Sequence, residues 1–296
     1  MKRVLKMKRV LMLASAFLAL IVTLVACGED ATNTPQPTAT PVPQINEVSM
    51  SAFDFGFRGP DSIPAGMTTL TLVNEGQDLH HQQLVKLPEG MTAEGFLTAL
   101  AEGGPEAPPP PGVVFAGGVS VLGPGGQGSV TLNLAEGAYV VVCFLPGPEG
   151  VPHFALGMST PLTVTAPEAP LAAEPDAEIS IDLVEFAFNI SATIPSGTQT
   201  VRIVNRGDQD HEAFLVRLAP DAIADDFIAF VLSEGPPEGP PPGLPLGGIQ
   251  AIASGAGGFF TADFEPGNYA LICFIPDEET GTPHAFLGMV SEFTVQ

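Results

Sequence analysis

The stretch GAYVVVCFLPGPEGVPHFALGM at positions 137–158 recurs at 267–289 as GNYALICFIPDEETGTPHAFLGM. In each copy, a glycine and a tyrosine precede a short apolar run that ends in a cysteine. A histidine follows after nine residues in the first copy and ten in the second, and a methionine stands five positions beyond each histidine. Short apolar runs bounded by glycine and proline predict β-strands. The two stretches therefore indicate one strand-and-loop unit that occurs twice.

The repetition extends outward from this stretch over most of the chain, with an offset of 130 or 131 residues from about residue 46 onward. Self-similarity at a fixed offset marks a duplicated structural unit. A run rich in Pro, Ala and Glu separates the two copies. We therefore expect two domains, at 46–166 and 179–296, joined by a linker at 167–178.

The composition favours an all-β fold. Glycine and proline contribute 33 and 31 of the 296 residues, which suits short strands joined by many turns. Each copy also contains one stretch with apolar residues at helical spacing, near 91–104 and 219–235, followed by a Pro-rich segment. The predicted class is two tandem Greek-key β-sandwiches, each with a short helical and Pro-rich insertion.

Each copy offers the same four candidate metal ligands in the same order. They are His80, Cys143, His153 and Met158 in the first copy, and His211, Cys273, His284 and Met289 in the second. A thiolate, two imidazoles and a weak thioether suit copper in both of its oxidation states, whereas a thioether is a poor zinc ligand. Taken singly, these residues also fit plainer roles as core residues, surface histidines or an interdomain disulfide. Their joint recurrence favours copper.

This arrangement resembles the cupredoxin family, which includes plastocyanin, azurin, auracyanin and the type 1 domains of larger copper enzymes. The resemblance covers both copies and implies one blue copper site per domain, cycling between Cu(I) and Cu(II). It also implies that Asn74 and Asn205 hold the ligand loops through side-chain hydrogen bonds, and that His153 and His284 reach the surface to pass the electron. The segment between cysteine and histidine is longer than in small electron carriers and closer to that of copper nitrite reductases.

The expected function is one-electron transfer between redox partners. Multicopper oxidation would need further histidines in His-x-His or His-Cys-His patterns, and only His81 of the five histidines stands outside the candidate ligand set. We therefore expect that the chain is not an enzyme. Two alternatives stay open: a protein for copper binding and delivery, and a metal-free cell-surface interaction module that keeps the cupredoxin fold.

The N-terminus predicts export and lipid anchoring. Residues 1–26 combine a basic start with an apolar run, as a signal peptide does. The run ends in LVAC, which resembles a bacterial lipobox and makes Cys27 the expected lipidation site; an uncleaved membrane anchor is the alternative. Residues 27–45, rich in Thr and Pro, would form a lipidated tether. Both interpretations place the protein at the outer face of the cytoplasmic membrane or elsewhere in the cell envelope or surface.

The chain is strongly acidic, with a net charge of −23. Five of its ten basic residues lie within the first nine positions, so the exported part is more acidic still. Such a surface repels nucleic acid, which we therefore exclude as a partner. The expected partners are redox proteins, in particular basic ones such as a cytochrome c-like protein, and the membrane through the lipid anchor. The acidity would also serve solubility alone.

Overall fold

The structure is a computed structural model that describes residues 42–103, 109–147, 150–233 and 239–296. These residues form one compact unit built mostly of β-strands. The predicted signal peptide, Cys27 and most of the predicted tether lie outside the described residues. Within the described ranges, no helix combines the length and the apolar character needed to cross a bilayer.

The first repeat folds into short strands interrupted by one α-helix. Its strands are β1 (Asn46–Phe53), β2 (Gly56–Arg58), β3 (Ser62–Pro64), β4 (Gly66–Asn74), β5 (Gln83–Lys86), β6 (Val114–Phe115), β7 (Gln127–Leu134), β8 (Gly137–Val142) and β9 (Ser159–Thr165). Helix α1 spans Ala93–Gly103, and a 3₁₀ helix spans His153–Leu156. Helix α1 lies within the stretch for which the sequence predicts a helix.

The second repeat has the corresponding elements. Its strands are β10 (Ile179–Val184), β11 (Ala187–Ile190), β12 (Gly197–Asn205), β13 (His211–Leu218), β14 (Gly243–Ile252), β15 (Gly257–Phe264), β16 (Gly267–Ile272) and β17 (Val290–Val295). Helix α2 spans Ala224–Val231, and a 3₁₀ helix spans His284–Leu287. Asp225 and Asp226 in the first turn of α2 favour a helix start, because acidic groups complement the unpaired N–H groups there.

The strands assemble into sheets that face each other. An eight-stranded sheet, in the order β11-β10-β12-β15-β7-β4-β1-β2, contains strands of both repeats. The first repeat adds the five-stranded sheet β3-β9-β8-β5-β6, and the second adds the four-stranded sheet β14-β13-β16-β17. Apolar residues from all three sheets meet in one main core, so the predicted β-sandwich character is confirmed. The Greek-key description with two separate domains, and their boundaries, stay predictions.

Strands β8 and β16 are buried on both faces, and this decides where their side chains go. Successive side chains of a strand point to opposite faces. Tyr139 and Val141 of β8 therefore join the main core, whereas Val140 and Val142 belong to a second cluster under α1. In the second repeat, α2 covers the outer face of β16 in the same way.

The two repeats join through symmetric contacts. Strands β7 and β15 pair antiparallel, with Val130 opposite Phe260. A separate backbone bridge joins Val119 to Ile249. Both pairs consist of equivalent positions, since each is separated by 130 residues. Contacts in which a position meets its own equivalent are typical of two-fold dimer interfaces. The repeats therefore associate like the halves of a pseudo-symmetric dimer within one chain.

Near this junction, two equivalent glycines allow backbone segments of the same repeat to approach each other closely. Gly118 has φ +140°, and a Cβ added there would lie 1.7 Å from the carbonyl oxygen of Gln82. Gly248 has φ +92°, and a Cβ there would lie 2.1 Å from the carbonyl oxygen of Ala213. Neither carbonyl belongs to a flexible side chain, so neither can yield without moving the backbone.

Replacing Gly118 with alanine is expected to lower the free energy of unfolding by at least about 3 kcal/mol, because the new methyl group collides with a backbone carbonyl. Urea denaturation of the metal-free protein measures this loss. The matched control is Gly125→Ala, where φ is +74° and nothing lies within 4 Å of an added Cβ. That change should cost only the roughly 1–2 kcal/mol of a left-handed alanine. Equal losses in the two variants would contradict the close approach at Gly118.

Candidate metal centre

The two cysteines lie directly after the strands that the sequence predicts. Strand β8 ends at Val142, and Cys143 continues the alternation that turns Tyr139 and Val141 toward the main core. Cys273 follows β16 in the same way, and both cysteines have no exposed surface. Both thiols are free, so the alternative of a disulfide between them does not hold.

The second histidine and the methionine of each set are fixed by a short helical turn. In the first repeat, the backbone N–H of His153 donates to the carbonyl of Leu145, which folds the loop back onto the end of β8. Gly157 closes the turn with φ 108°, a conformation that favours glycine. The Met158 N–H then donates to the His153 carbonyl, and the Cys143 N–H donates to the Met158 carbonyl. Backbone hydrogen bonds thus tie these three candidate ligands together.

The second repeat repeats this arrangement despite its longer loop. The Met289 N–H donates to the carbonyl of His284, and the Cys273 N–H donates to the carbonyl of Met289. Met158 and Met289 are fully buried in the main core beside the cysteines. His153 and His284 are 1% and 0% exposed, so the expectation that they reach the surface is wrong.

The first histidine of each set comes from a different part of the fold. His211 begins strand β13, whereas His80 precedes β5 and is held by a backbone bridge to Leu122. The Nδ1 atoms of His80 and His153 lie 3.3 Å apart, and the Cys143 Sγ lies 3.5 Å from the His153 Nδ1. These donors therefore converge on one buried point.

The second set has nearly the same geometry. The Nδ1 atoms of His211 and His284 lie 3.0 Å apart, and the Cys273 Sγ lies 3.5 Å from the His284 Nδ1. In each repeat, the two histidines and the cysteine offer one ligand atom each, and these three atoms lie within 4.8 Å of one another. The described residues contain these two groups of metal-ligating side chains and no third.

A carboxylate beside each first histidine is a feature that the sequence analysis missed. The Asp54 Oδ1 lies 2.8 Å from the His80 Nε2. A carboxylate there keeps the proton on Nε2 and leaves the Nδ1 lone pair free for a metal. The equivalent Glu185 Oε1 lies 3.7 Å from the His211 Nε2, which is an ion-pair distance rather than a hydrogen bond. The sequence does contain a sign of this carboxylate, because an acidic residue stands just before the Phe-x-Phe motif in both repeats.

The titration behaviour of these groups follows from their burial. Burial raises the pKa of the Cys143 thiol to about 11. Burial, together with the charge of Glu212, also raises the pKa of Cys273. Burial and the neighbouring His211 lower the pKa of His284 to about 4, and burial and His80 lower that of His153. In the metal-free protein at neutral pH, each thiol is therefore protonated and the second imidazole of each set is neutral.

This donor set fits copper. Two imidazole nitrogens and one sulfur point inward to one place, and a buried thioether follows on the same loop. Imidazole and thiolate together suit a type 1 copper site. A bound cation would displace the thiol proton. It would also offset the repulsion between the lone pairs of the two Nδ1 atoms, which lie close together.

Asn74 and Asn205 lie where they can hold the loops of the first histidines. The Asn74 side-chain N–H groups donate to the carbonyls of Asp78 and Leu122, and its Oδ1 accepts from the Gly76 N–H. Leu122 also accepts a backbone hydrogen bond from His80. Asn205 makes the equivalent bonds in the second repeat.

The residues that follow the first histidines, His81 and Glu212, fill one position with different chemistry. The His81 Nε2 accepts a hydrogen bond from the Phe144 N–H at 2.9 Å. The Glu212 Oε1 accepts the equivalent bond from the Phe274 N–H, also at 2.9 Å. Both side chains are buried. Because histidine and glutamate differ in chemistry, the two sequences alone do not show that His81 and Glu212 share a role.

Removing the Asn205 side chain should lower the free energy of unfolding by about 2–4 kcal/mol, because Asn205→Ala leaves buried backbone groups without partners. Urea denaturation of the metal-free protein measures the change, and Asn189→Ala, at an exposed position of β11, is the control with an expected effect within about 0.5 kcal/mol. A loss for Asn205→Ala no larger than that of the control would disprove the loop-holding role.

The stability of the metal-free protein should depend on pH through His81 and Glu212, with opposite signs. Burial lowers the pKa of His81 to about 3, so its contribution to stability is complete above pH 6.5 and is lost as pH falls from there toward 3. Burial raises the pKa of Glu212 to about 7, so its contribution is complete below pH 4.5 and is lost as pH rises toward 7. Each loss has a slope of up to ~1.4 kcal/mol per pH unit.

Unfolding free energies measured across this pH range check the prediction. His81→Gln should flatten the loss on the acid side alone, and Glu212→Gln should flatten the loss between about pH 4.5 and 7 alone. Glutamine can accept the same backbone N–H, so each variant keeps the hydrogen bond. Parallel curves for the wild type and both variants would contradict the pKa shifts that burial gives these two groups.

Comparisons with known proteins give structural matches only. No protein-family model matches the chain, and no curated protein matches its sequence. One similar solved structure is the dithionite-reduced auracyanin from the photosynthetic bacterium Roseiflexus castenholzii, with 24% identity and a TM-score of 0.30; the match covers 42% of this chain and 99% of auracyanin.

Two further matches span most of the chain. The blue copper oxidase from Nitrosomonas europaea is 15% identical, with 86% of each chain covered and a TM-score of 0.25. The copper nitrite reductase from Nitrosomonas europaea is 14% identical, with a TM-score of 0.25, and the match covers 86% of this chain and 94% of the reductase. The expectation that the chain is not an enzyme is wrong, because the similar structures include enzymes.

Proposed function

We propose that the chain binds one copper ion in each repeat at a type 1 site and transfers single electrons between redox partners. The observation that carries this proposal is the buried convergence, in both repeats, of two imidazole Nδ1 atoms and one thiol. The proposed ligands are His80, Cys143, His153 and Met158 in the first repeat, and His211, Cys273, His284 and Met289 in the second. We propose further that the two repeats are tandem cupredoxin-like Greek-key domains.

Bound copper would supply a reversible change between Cu(II) and Cu(I), for which nitrogen and sulfur donors together are suited. The chain's own part is to hold those donors still. Asp54 orients the imidazole of His80, and backbone hydrogen bonds fix Cys143 and Met158 relative to one another. Burial of the donors keeps water out of the site. Donors that are already in place need little rearrangement when an electron arrives or leaves.

The loops of the second histidines offer a route for the electron. Although His153 and His284 are buried, the 3₁₀ helices that they begin carry exposed apolar side chains. Leu156 is 44% exposed and Phe286 is 60% exposed. An exposed apolar surface of this kind suits transient docking of a redox partner. We propose that electrons enter and leave here.

The remaining parts of the proposal rest on the sequence. We propose export behind the signal peptide at 1–26, lipidation at Cys27, and a position at the outer face of the cytoplasmic membrane or in the cell envelope. The acidity of the chain, whose net charge is −23 with the signal peptide included, supports basic redox proteins, such as a cytochrome c-like protein, as partners.

Copper titration of the purified chain tests the function. Two equivalents of Cu(II) should bind and produce the intense blue band of a copper–thiolate bond, with the matching EPR signal. Cys143→Ser and Cys273→Ser should each remove about half of the band, and the double variant should remove all of it, because each thiolate serves one site. Cys27→Ser, which changes the third cysteine, is the matched control and should leave the band unchanged. Colourless binding by the wild type would refute the proposal.

A further inference from the structure

The position after the first histidine is a buried place next to the candidate sites where the repeats differ in charge type. His81 and Glu212 both accept a backbone N–H from the residue that follows the cysteine. The Glu212 backbone N–H also points to the Cys273 Sγ, at 3.5 Å. The residue at this position therefore follows the first histidine in the chain, and its side chain is hydrogen-bonded to the residue that follows the cysteine.

Several other charges around the two sites are matched between the repeats, although Asp210 beside His211 has Leu79 as its counterpart. Asp54 stands beside the first histidine of one site, and Glu185 stands beside that of the other. Asp78 and Asp277 each act on the second histidine of their own site. Glu212 has no such counterpart, because the first repeat has a buried imidazole in its place.

The junction between the repeats holds the Glu212 carboxylate in place. Its Oε2 accepts a hydrogen bond from the Gln250 Nε2 at 3.0 Å, and its Oε1 accepts from the Phe274 N–H. Gln250 also donates to the Ser120 hydroxyl of the first repeat at 2.9 Å. Donors on both oxygens favour the ionised carboxylate, which can accept at both positions. When ionised, Glu212 therefore places a negative charge at the contact between the two halves.

We propose that Glu212 makes the two copper sites unequal, so that the second site has the lower reduction potential and a single electron resides on the first. This inference rests on the proposed function. A buried negative charge near the metal stabilises the more positive, oxidised state, and its effect is large where water cannot screen it. One electron would pass from the reduced ion of the second site to the oxidised ion of the first, with no bond or proton transferred.

Redox titration of full-length, copper-loaded single-site variants tests the proposal at mildly alkaline pH. Cys273→Ser leaves the first site alone, and Cys143→Ser leaves the second, so that each potential is read from its own blue band. We expect the first site to bind an electron at least tenfold more tightly than the second, which is a potential difference of about 59 mV for one electron. Glu212→Gln, which keeps the length and the acceptor oxygen, should raise the potential of the second site and close most of this difference.

The reverse change and a distant acid complete the test. His81→Glu should lower the potential of the first site, since it places the same carboxylate at the equivalent position. Glu47→Gln, at an exposed position, should shift neither potential, because solvent and salt screen that charge. Blue bands with potentials that ignore both Glu212→Gln and His81→Glu would overturn the inference and leave the proposed function standing. Absence of any blue band would overturn both.

Discussion

The alternation of side chains along a strand that is buried on both faces is the constraint on which the site depends. Because neighbouring side chains of β8 enter different layers, the cysteine that follows must point to one of two interiors. It shares the interior of Tyr139 and Val141, where the loop of His153 folds back. A slip of one residue would turn the thiol under α1 and away from both imidazoles. Strand β16 obeys the same rule in the second repeat.

The candidate centre brings together groups that are expensive to bury alone. A thiol and two imidazoles without water or partners would cost stability, and here they face one another at about hydrogen-bond distance. The fold can hold these groups together because backbone hydrogen bonds, rather than contacts between the candidate metal ligands, fix the loops. The two asparagines reinforce this division of labour, since each bonds only to main-chain groups. Backbone hydrogen bonds of the fold thus set the positions of the candidate ligands.

Much of the local structure could be predicted from the sequence, because it depends on residues near one another in the chain. The strands before Cys143 and Cys273 and the helix of each repeat follow from apolar runs and spacing. The pairing of Val130 with Phe260 could not be predicted, since nothing local specifies which edges meet. The burial of His153 also escaped prediction, because it depends on how a nine-residue loop folds back. The shared role of His81 and Glu212 was hidden by their different chemistry.

The pairing of β7 with β15 affects how the two repeats assemble. Each of these strands has one long side committed to a neighbour within its own repeat and the other to the opposite repeat. A chain interrupted between the repeats would leave both with an open row of N–H and carbonyl groups, which is a template for unintended pairing. Covalent fusion of the two halves supplies each edge with its partner at high local concentration from the start.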